Sequence, residues 1–149
     1  NDSGEDELIL CDCGYKSNQE VAECVETAPA NETILGEMKE VFTGDAKEID
    51  AVCKLLETDA KHTIKAVAYA IKGEDGIVLA FVRGDKEVNE AKLKKVTKKD
   101  IVAFSAENDS RLCAGTIGPV GLEHKDIIVV YDDSIKGTAN MVCGANKPE

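Results

Sequence analysis

The stretch TIKAVAYAIKGEDGIVLAFVRG, residues 63–84, decides the fold of this chain. It contains two runs rich in apolar and β-branched residues, separated by the polar, glycine-containing segment 72–76. Two such runs around a short turn predict a β-hairpin. Because both runs are apolar on both faces, we expect the hairpin to form the centre of a sheet with helices on each side.

Lys65 is the exception in this hairpin. On an alternating strand it shares a face with Val67, Tyr69 and Ile71, which places its ammonium group at the end of an otherwise buried row. A lysine in that position either extends its charge into solvent as a structural residue or offers a cation to a ligand. The strand pattern leaves both interpretations open.

The segments on either side of the hairpin carry further helix and strand signals. Apolar residues recur every three or four positions in residues 46–57, which predicts a helix with Asp45 as N-cap. Other helices are predicted at residues 19–26, 89–96 and 105–112, the last with Ser105 as N-cap, and other strands at residues 101–104, 127–131 and 138–142. The sequence therefore predicts an α/β domain of the mixed α+β kind, a central mixed β-sheet with helices packed around it.

Length and net charge limit the class of protein. The 149 residues fit a single domain, 1–149, in which residues 1–18 are expected to form a loose connecting segment. No apolar run approaches the roughly 20 residues that cross a bilayer, so we expect no membrane span. The net charge of −11 disfavours a free-standing nucleic-acid binder, because an approaching polyanion is repelled. Locally basic residues form either a solvated helix face or a surface for phosphates; they are Lys86, Lys92, Lys94, Lys95, Lys98 and Lys99.

Common catalytic and metal-binding patterns are missing from the sequence. The six cysteines are scattered, which favours reduced thiols, and the close pair Cys11 and Cys13 lacks the second ligand pair of a structural zinc site. With two histidines and neither a nucleophile elbow nor a phosphate-binding loop motif, serine hydrolases and nucleotide-binding enzymes are disfavoured. A cysteine nucleophile beside His62 or His124 is a weaker alternative.

The segment GTIGPVG, residues 115–121, concentrates three glycines and a proline before the strand predicted at residues 127–131. Glycines permit positive φ angles and let a ligand approach the backbone closely. Successive N–H groups in such a loop can hold a carbonyl oxygen or an oxyanion. The alternative is a tight turn that only leads into the following strand.

Six blocks point together to one family. They are DELILCDCGY (residues 6–15), TIKAVAY (63–69), VRGDKEVNEAKLKK (82–95), GTIGPVGL (115–122), VVYDDSI (129–135) and CGAN (143–146). In this order they resemble the editing domain inserted in bacterial-type prolyl-tRNA synthetases, a member of the YbaK-type aminoacyl-tRNA deacylase superfamily. The resemblance implies a domain of a longer enzyme that hydrolyses the ester of alanine wrongly attached to proline tRNA and spares the prolyl ester.

The same resemblance implies partners, cofactors and location. The partners would be the alanine-carrying acceptor end of proline tRNA and the class II synthetase core of the same parent chain, in the cytoplasm and with no membrane contact. Editing would need no cofactor, whereas the parent synthetase would use ATP and magnesium. Two alternatives stay open, a free-standing deacylase acting in trans and a catalytically silent module that contacts RNA.

Site residues also follow from the resemblance. The implied roles are catalytic for Lys65, Gly115 and Gly118 and substrate-binding for Thr116, Ile117, Pro119 and Asp132, with no metal. Ile117 and apolar hairpin side chains are expected to line a pocket that excludes the proline ring. In this family the free ribose hydroxyl of the terminal adenosine assists the reaction, and a histidine is expected a few residues after the CGAN block, beyond Glu149.

Overall fold

A computed structural model describes residues 8–10, 12–18, 22, 36–122 and 124–147. Within these residues the chain forms short strands, two helices and three short 3-10 turns. The strands and helices are β1 (Leu8–Leu10), β2 (Lys16–Asn18), α1 (Ile49–Leu55), β3 (Ile64–Ile71), β4 (Ile77–Arg83), α2 (Glu90–Thr97), β5 (Ile101–Ala103) and β6 (Ile127–Tyr131). The 3-10 turns are Ala60–His62, Ala106–Asn108 and Asp133–Ile135.

The predicted hairpin forms the centre of a mixed four-stranded sheet. The strand order is β5-β3-β4-β6, with β3 antiparallel to both β4 and β5 and β6 parallel to β4. Every residue of β4 is buried, as expected for a central strand that is apolar on both faces. The prediction of a mixed α/β fold with this hairpin at its centre is confirmed.

Successive side chains along each strand point to opposite faces of the sheet, and each face has its own apolar cluster. On the first face α2 contributes Leu93 to a buried cluster of Tyr69, Ile71, Val78, Ala80, Leu93 and Ile101. On the second face Ile77, Leu79, Phe81 and Leu112 are buried, and the irregular chain between Phe104 and Leu122 covers them. A helix therefore covers one face and loop segments cover much of the other, so the expectation of helices on each side of the hairpin is wrong for the second face.

One continuous connection, residues 84–126, joins β4 to its parallel neighbour β6. It crosses the first face as α2 and pairs with β3 at the sheet edge as β5. It then returns over the second face through residues 104–122. Parallel neighbours require a crossover connection of this kind. The same segment thus covers both faces of the sheet.

The helix predicted at residues 105–112 is wrong, because only Ala106–Asn108 forms a 3-10 turn there. Ser105 precedes that turn without a capping hydrogen bond from its side chain. The Asp109 carboxylate instead accepts hydrogen bonds from the backbone N–H and the Nε of Arg111, both at 2.9 Å. Such local side-chain bonds compete with the helical pattern, and here they prevail.

Two other boundaries differ from the sequence expectation. Helix α1 begins at Ile49 with Glu48 at the N-cap position, so the predicted cap Asp45 is wrong. The strand predicted at residues 138–142 is reduced to a single bridge between Thr63 and Val142. Asn140 interrupts the extended backbone there, since its φ of 54° lies in the left-handed region. Helix α2, strand β5 and strand β6 form where they were predicted, to within a residue.

The amino-terminal strands β1 and β2 pair antiparallel as a separate ribbon, with Leu8 opposite Asn18. The helix predicted at residues 19–26 falls, apart from Ala22, outside the described residues. The assignment of residues 1–18 to a connecting segment stays a prediction. No helix in the described part of the chain is long and apolar enough to span a membrane.

Candidate functional site

The register of the sheet brings Lys65 and Asp132 to the same end. Lys65 on β3 lies opposite Val82, and the β4 residue before Val82, Phe81, lies opposite Tyr131 on β6. Asp132 follows Tyr131 directly, and its N–H donates to the Phe81 carbonyl oxygen at 2.9 Å. Two strand spacings therefore separate the backbones of Lys65 and Asp132, about 10 Å.

The Lys65 side chain lies at the boundary between the core and solvent, with 20% of its area exposed. Its Nζ donates to the Glu87 carboxylate at 2.7 Å, and the Glu87 side chain is 89% exposed. Exposed ion pairs contribute little to stability, about 0–1 kcal/mol. A phosphate or another anion can therefore replace Glu87 at this ammonium group with little loss of stability.

Asp132 is anchored by the turn that follows β6. Its Oδ1 accepts a hydrogen bond from the Ser134 N–H at 2.9 Å, which caps the 3-10 turn Asp133–Ile135. The buried Ser134 hydroxyl in turn accepts a hydrogen bond from the Arg83 N–H at 3.3 Å. This chain of contacts fixes the Asp132 carboxylate relative to the end of β4.

An open cleft of about 480 Å³ lies at this end of the sheet. Its lining mixes carboxylate, amide and apolar groups from the start of β3, the end of β6 and the segment that follows. The lining residues are Ile64, Tyr131, Asp132, Asp133, Ile135, Lys136, Thr138, Ala139, Asn140 and Met141. The volume is that of a small-ligand site.

The predicted loop residue Ile117 lies elsewhere. It is half-buried against the second apolar cluster, together with Ile64 and Ile135, and it is absent from the lining of this cleft. Ile64 and Ile135 contribute both to that cluster and to the cleft. Ile117 and these two side chains therefore pack against the same buried cluster.

The glycine loop, residues 115–121, has the unusual backbone that its composition predicts. Gly115 and Gly121 have φ angles of 85° and 79°, in the region that favours glycine. Gly118 is needed for a different reason, because a Cβ there would lie 1.7 Å from the carbonyl oxygen of Gly144. The third glycine therefore allows two backbone segments to touch.

Two of the loop N–H groups are already used within the protein. The Gly118 N–H donates to Asn146 Oδ1 at 2.9 Å, and the Thr116 N–H donates to the Cys113 carbonyl oxygen at 3.0 Å. Among the described residues, the Gly115 and Ile117 N–H groups have no such internal acceptor. The amide of Gly118 is thus engaged within the protein, unlike those of Gly115 and Ile117.

The other loop residues placed in the site from the sequence have structural contacts. The Thr116 hydroxyl donates to the Lys147 carbonyl oxygen at 2.7 Å. Pro119 is half-buried beside Gly118. Neither contact reaches the cleft at Asp132. The structure therefore places Lys65 and Asp132 at the same end of the sheet, although Lys65 does not line the cleft, and leaves the loop on the second face.

Arg83 is a charged residue at this end of the sheet that the sequence reasoning did not single out. It ends β4 opposite Ile64, is only 6% exposed, and donates from Nη2 to Asp85 Oδ2 at 3.0 Å. Hydrogen bonding from Arg83 lowers the pKa of Asp85. A buried charge requires such a partner. The signal in the sequence was an arginine that ends the apolar run IVLAFVR.

The described cysteines and histidines offer little support for a cysteine nucleophile. Burial raises the pKa of Cys143, and burial with nearby carboxylates raises the pKa of Cys53, which disfavours the reactive thiolate. His62 Nδ1 lies 2.6 Å from Asp59 Oδ1, and this hydrogen bond lowers the pKa of Asp59. In the described ranges no group of three or more metal-ligating side chains is gathered.

Comparison with known families identifies the family to which this chain belongs. The family model described as the aminoacyl-tRNA editing domain matches residues 43–149, which include Lys65, the glycine loop and Asp132. The chain belongs to this family of editing domains. The resemblance seen in the six sequence blocks is confirmed.

The relatives of this editing domain are proline–tRNA ligases. Those of Exiguobacterium sibiricum and Dehalococcoides mccartyi are 38% and 37% identical to it, each over 98% of this chain. The ligase of Caldicellulosiruptor saccharolyticus is 36% identical, also over 98% of the chain. The chain spans 26% of the length of each of these relatives.

A solved structure supports the fold independently. The crystal structure titled hypothetical protein APE2540 superposes with a TM-score of 0.59 over 68% of each chain. Its sequence identity to this chain is 18%, so the likeness concerns the fold alone.

Proposed function

We propose that this chain is the editing domain of a prolyl-tRNA synthetase, which hydrolyses alanine from proline tRNA and spares the correct prolyl ester. This proposal rests on the match of nearly the whole chain to proline–tRNA ligases, of whose length it spans 26%. The partners are then the acceptor end of that tRNA and the synthetase core, in the cytoplasm. The net charge of −11 fits this role, because the core would hold most of the tRNA.

Lys65 binds the terminal nucleotide in this proposal. Its ammonium group exchanges the exposed Glu87 carboxylate for a phosphate or ribose oxygen of the acceptor end. A compact cation with three donors suits that contact. The ion pair of Lys65 with the exposed Glu87 contributes little stability, so replacing Glu87 by RNA costs little free energy. Glu87 occupies the site until RNA arrives.

Hydrolysis then needs a water molecule, donors for the oxyanion and a proton acceptor. The water oxygen attacks the ester carbonyl carbon, and the N–H groups of Gly115 and Ile117 stabilise the negative oxygen that forms. The carbon–oxygen ester bond then breaks, and the leaving ribose oxygen takes up a proton. No described side chain is placed as a general base, so the free ribose hydroxyl of the substrate relays the proton: it accepts one from the attacking water while it passes its own to the neighbouring leaving oxygen.

Selectivity rests on size in this proposal. Contacts with one or two additional methylene groups distinguish substrates by only about 1–3 kcal/mol. A cavity that accepts the alanyl methyl group but clashes with the proline ring discriminates more strongly. Ile117 packs against the buried cluster of the second face, so in this proposal the close packing there sets how far the walls of such a cavity can yield.

The test compares release of alanine and proline from the same proline tRNA. We expect the chain, as it is or rejoined to its synthetase core, to release alanine selectively and Lys65→Ala to lower that rate about 100-fold, since positioning errors have this magnitude. Lys99→Ala is the matched control. Lys99 also pairs with an exposed glutamate, Glu74, at 2.8 Å, but near the opposite end of the sheet.

Three outcomes would overturn the proposal. Equal rates for the wild type and Lys65→Ala would remove the lysine from the reaction. Equal release of both amino acids would contradict the selectivity. Salt-dependent binding of acceptor RNA without release of either amino acid would favour a silent RNA-contacting module.

A further inference from the structure

The Asn146 side chain contacts the glycine loop, and the proposed reaction assigns this residue no role. Its Oδ1 accepts a hydrogen bond from the Gly118 N–H at 2.9 Å. Its Nδ2 donates to the Gly118 carbonyl oxygen at 2.8 Å and to the Val120 carbonyl oxygen at 2.6 Å. One side-chain amide thus binds both polar groups of a buried glycine and uses three of its own four hydrogen-bonding positions.

The backbone near Asn146 reinforces this contact. The Asn146 N–H donates to the Thr116 carbonyl oxygen at 2.8 Å. The Cys113 thiol donates to the Asn146 carbonyl oxygen at 3.2 Å. Asn146 has a φ of 54°, a left-handed conformation in which asparagine is several-fold enriched over other non-glycine residues. The residue type therefore suits both the backbone and the side-chain contacts at this position.

Residues 142–147, here called the C-terminal bridge, connect the loop to the strand that carries Lys65. At one end the Val142 N–H donates to the His62 carbonyl oxygen and the Ile64 N–H donates to the Val142 carbonyl oxygen, both at 2.8 Å. At the other end Asn146 binds the loop. In the middle, Gly144 touches the loop so closely that a Cβ would lie 2.3 Å from the Thr116 carbonyl oxygen.

We propose that Asn146 is a positioning residue for the deacylation reaction. It holds the glycine loop, through the C-terminal bridge, at a fixed distance from the start of β3, so that the Gly115 and Ile117 N–H groups keep one position relative to Lys65. This inference rests on the proposed function. Lys65 and the loop lie towards different faces of the sheet, so a connection outside the sheet has to set their separation.

The expected defect is in the chemical step rather than in binding. Displacement of a reacting group by about 1 Å can lower a rate about 100-fold. Without the Asn146 side chain, the buried Gly118 N–H and carbonyl group lose their partners, and the loop has to move towards other acceptors or water. RNA contacts at Lys65 do not involve the loop, so the affinity for tRNA is retained.

The principal variant is Asn146→Gly, which removes the side chain and keeps the freedom to adopt a left-handed backbone. We expect kcat for alanyl-tRNA to fall about 10- to 100-fold while KM stays near the wild-type value. The control is Asn89→Gly. It removes another asparagine side chain that accepts from a backbone N–H, that of Lys92 at 3.1 Å, but at the start of α2. Its kcat is expected to match the wild type.

A conservative variant separates the donor from the acceptor. Asn146→Asp keeps an oxygen for the Gly118 N–H but places a carboxylate oxygen against the Gly118 and Val120 carbonyl oxygens. Deacylation should therefore be impaired near neutral pH. It should recover relative to the wild type as the pH falls, because the protonated carboxyl regains a donor. A loss that does not change with pH would contradict the assigned donor role.

Amide hydrogen exchange tests the inference without any tRNA. Asn146→Gly is expected to increase exchange of the Gly118 N–H while the β3 and β4 amides keep their protection. Continued protection of Gly118, or faster exchange with unchanged kcat, would overturn the inference. A wild-type chain that releases no alanine would instead overturn the proposed function, and the exchange result would still decide whether Asn146 holds the loop.

Discussion

The central hairpin and the glycine loop are stabilised in opposite ways. In the hairpin, β3 and β4 pair over seven registered positions from Ile64 opposite Arg83 to Ala70 opposite Ile77, and every β4 residue is buried. The loop has no strand partner and is held by the Asn146 side chain and by the contact between Gly118 and Gly144. The hairpin is stabilised by buried apolar area, whereas the loop is held by a few directional contacts. Substitutions in the two regions should therefore have different effects.

Truncation of the hairpin core should have the largest effect on stability. Phe81 is fully buried and stacks on Tyr131 with ring centroids 5.5 Å apart. We expect Phe81→Ala to lower the free energy of unfolding by about 3–5 kcal/mol, as measured by urea denaturation. The control Val96→Ala removes an apolar side chain that is 69% exposed and should change stability by less than about 0.5 kcal/mol. Similar losses for both would contradict the division between core and surface.

A methyl group at Gly144 should disturb the loop more than the hairpin. A Cβ there would lie 2.3 Å and 2.4 Å from the carbonyl oxygens of Thr116 and Ile117, so the two segments have to separate. We expect Gly144→Ala to cost about 2–3 kcal/mol in thermal or urea unfolding, within the usual range for overpacking.

The matched control for this contact is Gly73→Ala, in the hairpin turn. Its φ of 77° strains an alanine, but no atom lies within 4 Å of the added Cβ. That variant should cost about 1–2 kcal/mol from backbone strain alone. If Gly73→Ala proves as damaging as Gly144→Ala, close packing between the loop and the bridge is not what holds this region.

The pair Asp109 and Arg111 joins the segment before the glycine loop to the hairpin turn and should give a smaller, pH-dependent effect. Arg111 binds Asp109 at 2.7 Å and donates to the carbonyl oxygen of Asp75 in the hairpin turn at 3.0 Å. Hydrogen bonds from Arg111 lower the pKa of Asp109 from 3.8 to about 2. The stabilisation is therefore complete above the unfolded pKa and is lost as the pH falls towards about 2.

The corresponding variant is Asp109→Asn. We expect it to lower the free energy of unfolding at neutral pH by about 1.5–3 kcal/mol, the range for hydrogen bonds to charged groups. The variant and the wild type should become equally stable in acid, once Asp109 is protonated in the wild type. A stability difference that persists unchanged in acid would show that the carboxylate charge is not the cause.

The smallest stability effect is expected at Glu87. Because the Glu87 side chain is 89% exposed, Glu87→Gln should change the free energy of unfolding by less than about 1 kcal/mol. Under the proposed function it frees the Lys65 ammonium group for RNA, so the KM for alanyl-tRNA should fall or stay constant. A large rise in KM, measured beside the Lys65→Ala variant, would assign Glu87 to substrate binding instead.

Local sequence patterns predicted the hairpin because its information is local. Apolar alternation and the turn at residues 72–76 lie within one continuous stretch, so β3 and β4 formed as expected. The helix predicted at residues 105–112 failed, because helical propensity did not account for the bonds between Asp109 and Arg111. Local competition of this kind is decided by side-chain geometry that composition does not encode.

The candidate site was predicted only in part for a related reason. Strand alternation singled out Lys65, and its ion pair at the sheet boundary agrees with that pattern. The contact of Gly118 with Gly144 and Asn146 joins segments distant in sequence, and no periodicity signals it. The glycine loop was therefore predicted as an amide cradle, whereas two of its amides, those of Thr116 and Gly118, are already used within the protein.

The connection between β4 and β6 has a consequence for how the molecule assembles. Residues 84–126 cover one face, pass the β5 edge and cover the other face before β6 can pair with β4. Closing such a long loop costs chain entropy before the pairing compensates for it. We therefore expect the glycine loop to acquire its final surroundings late in folding, after the hairpin has formed, so that a truncated chain that lacks β6 would leave this loop without them.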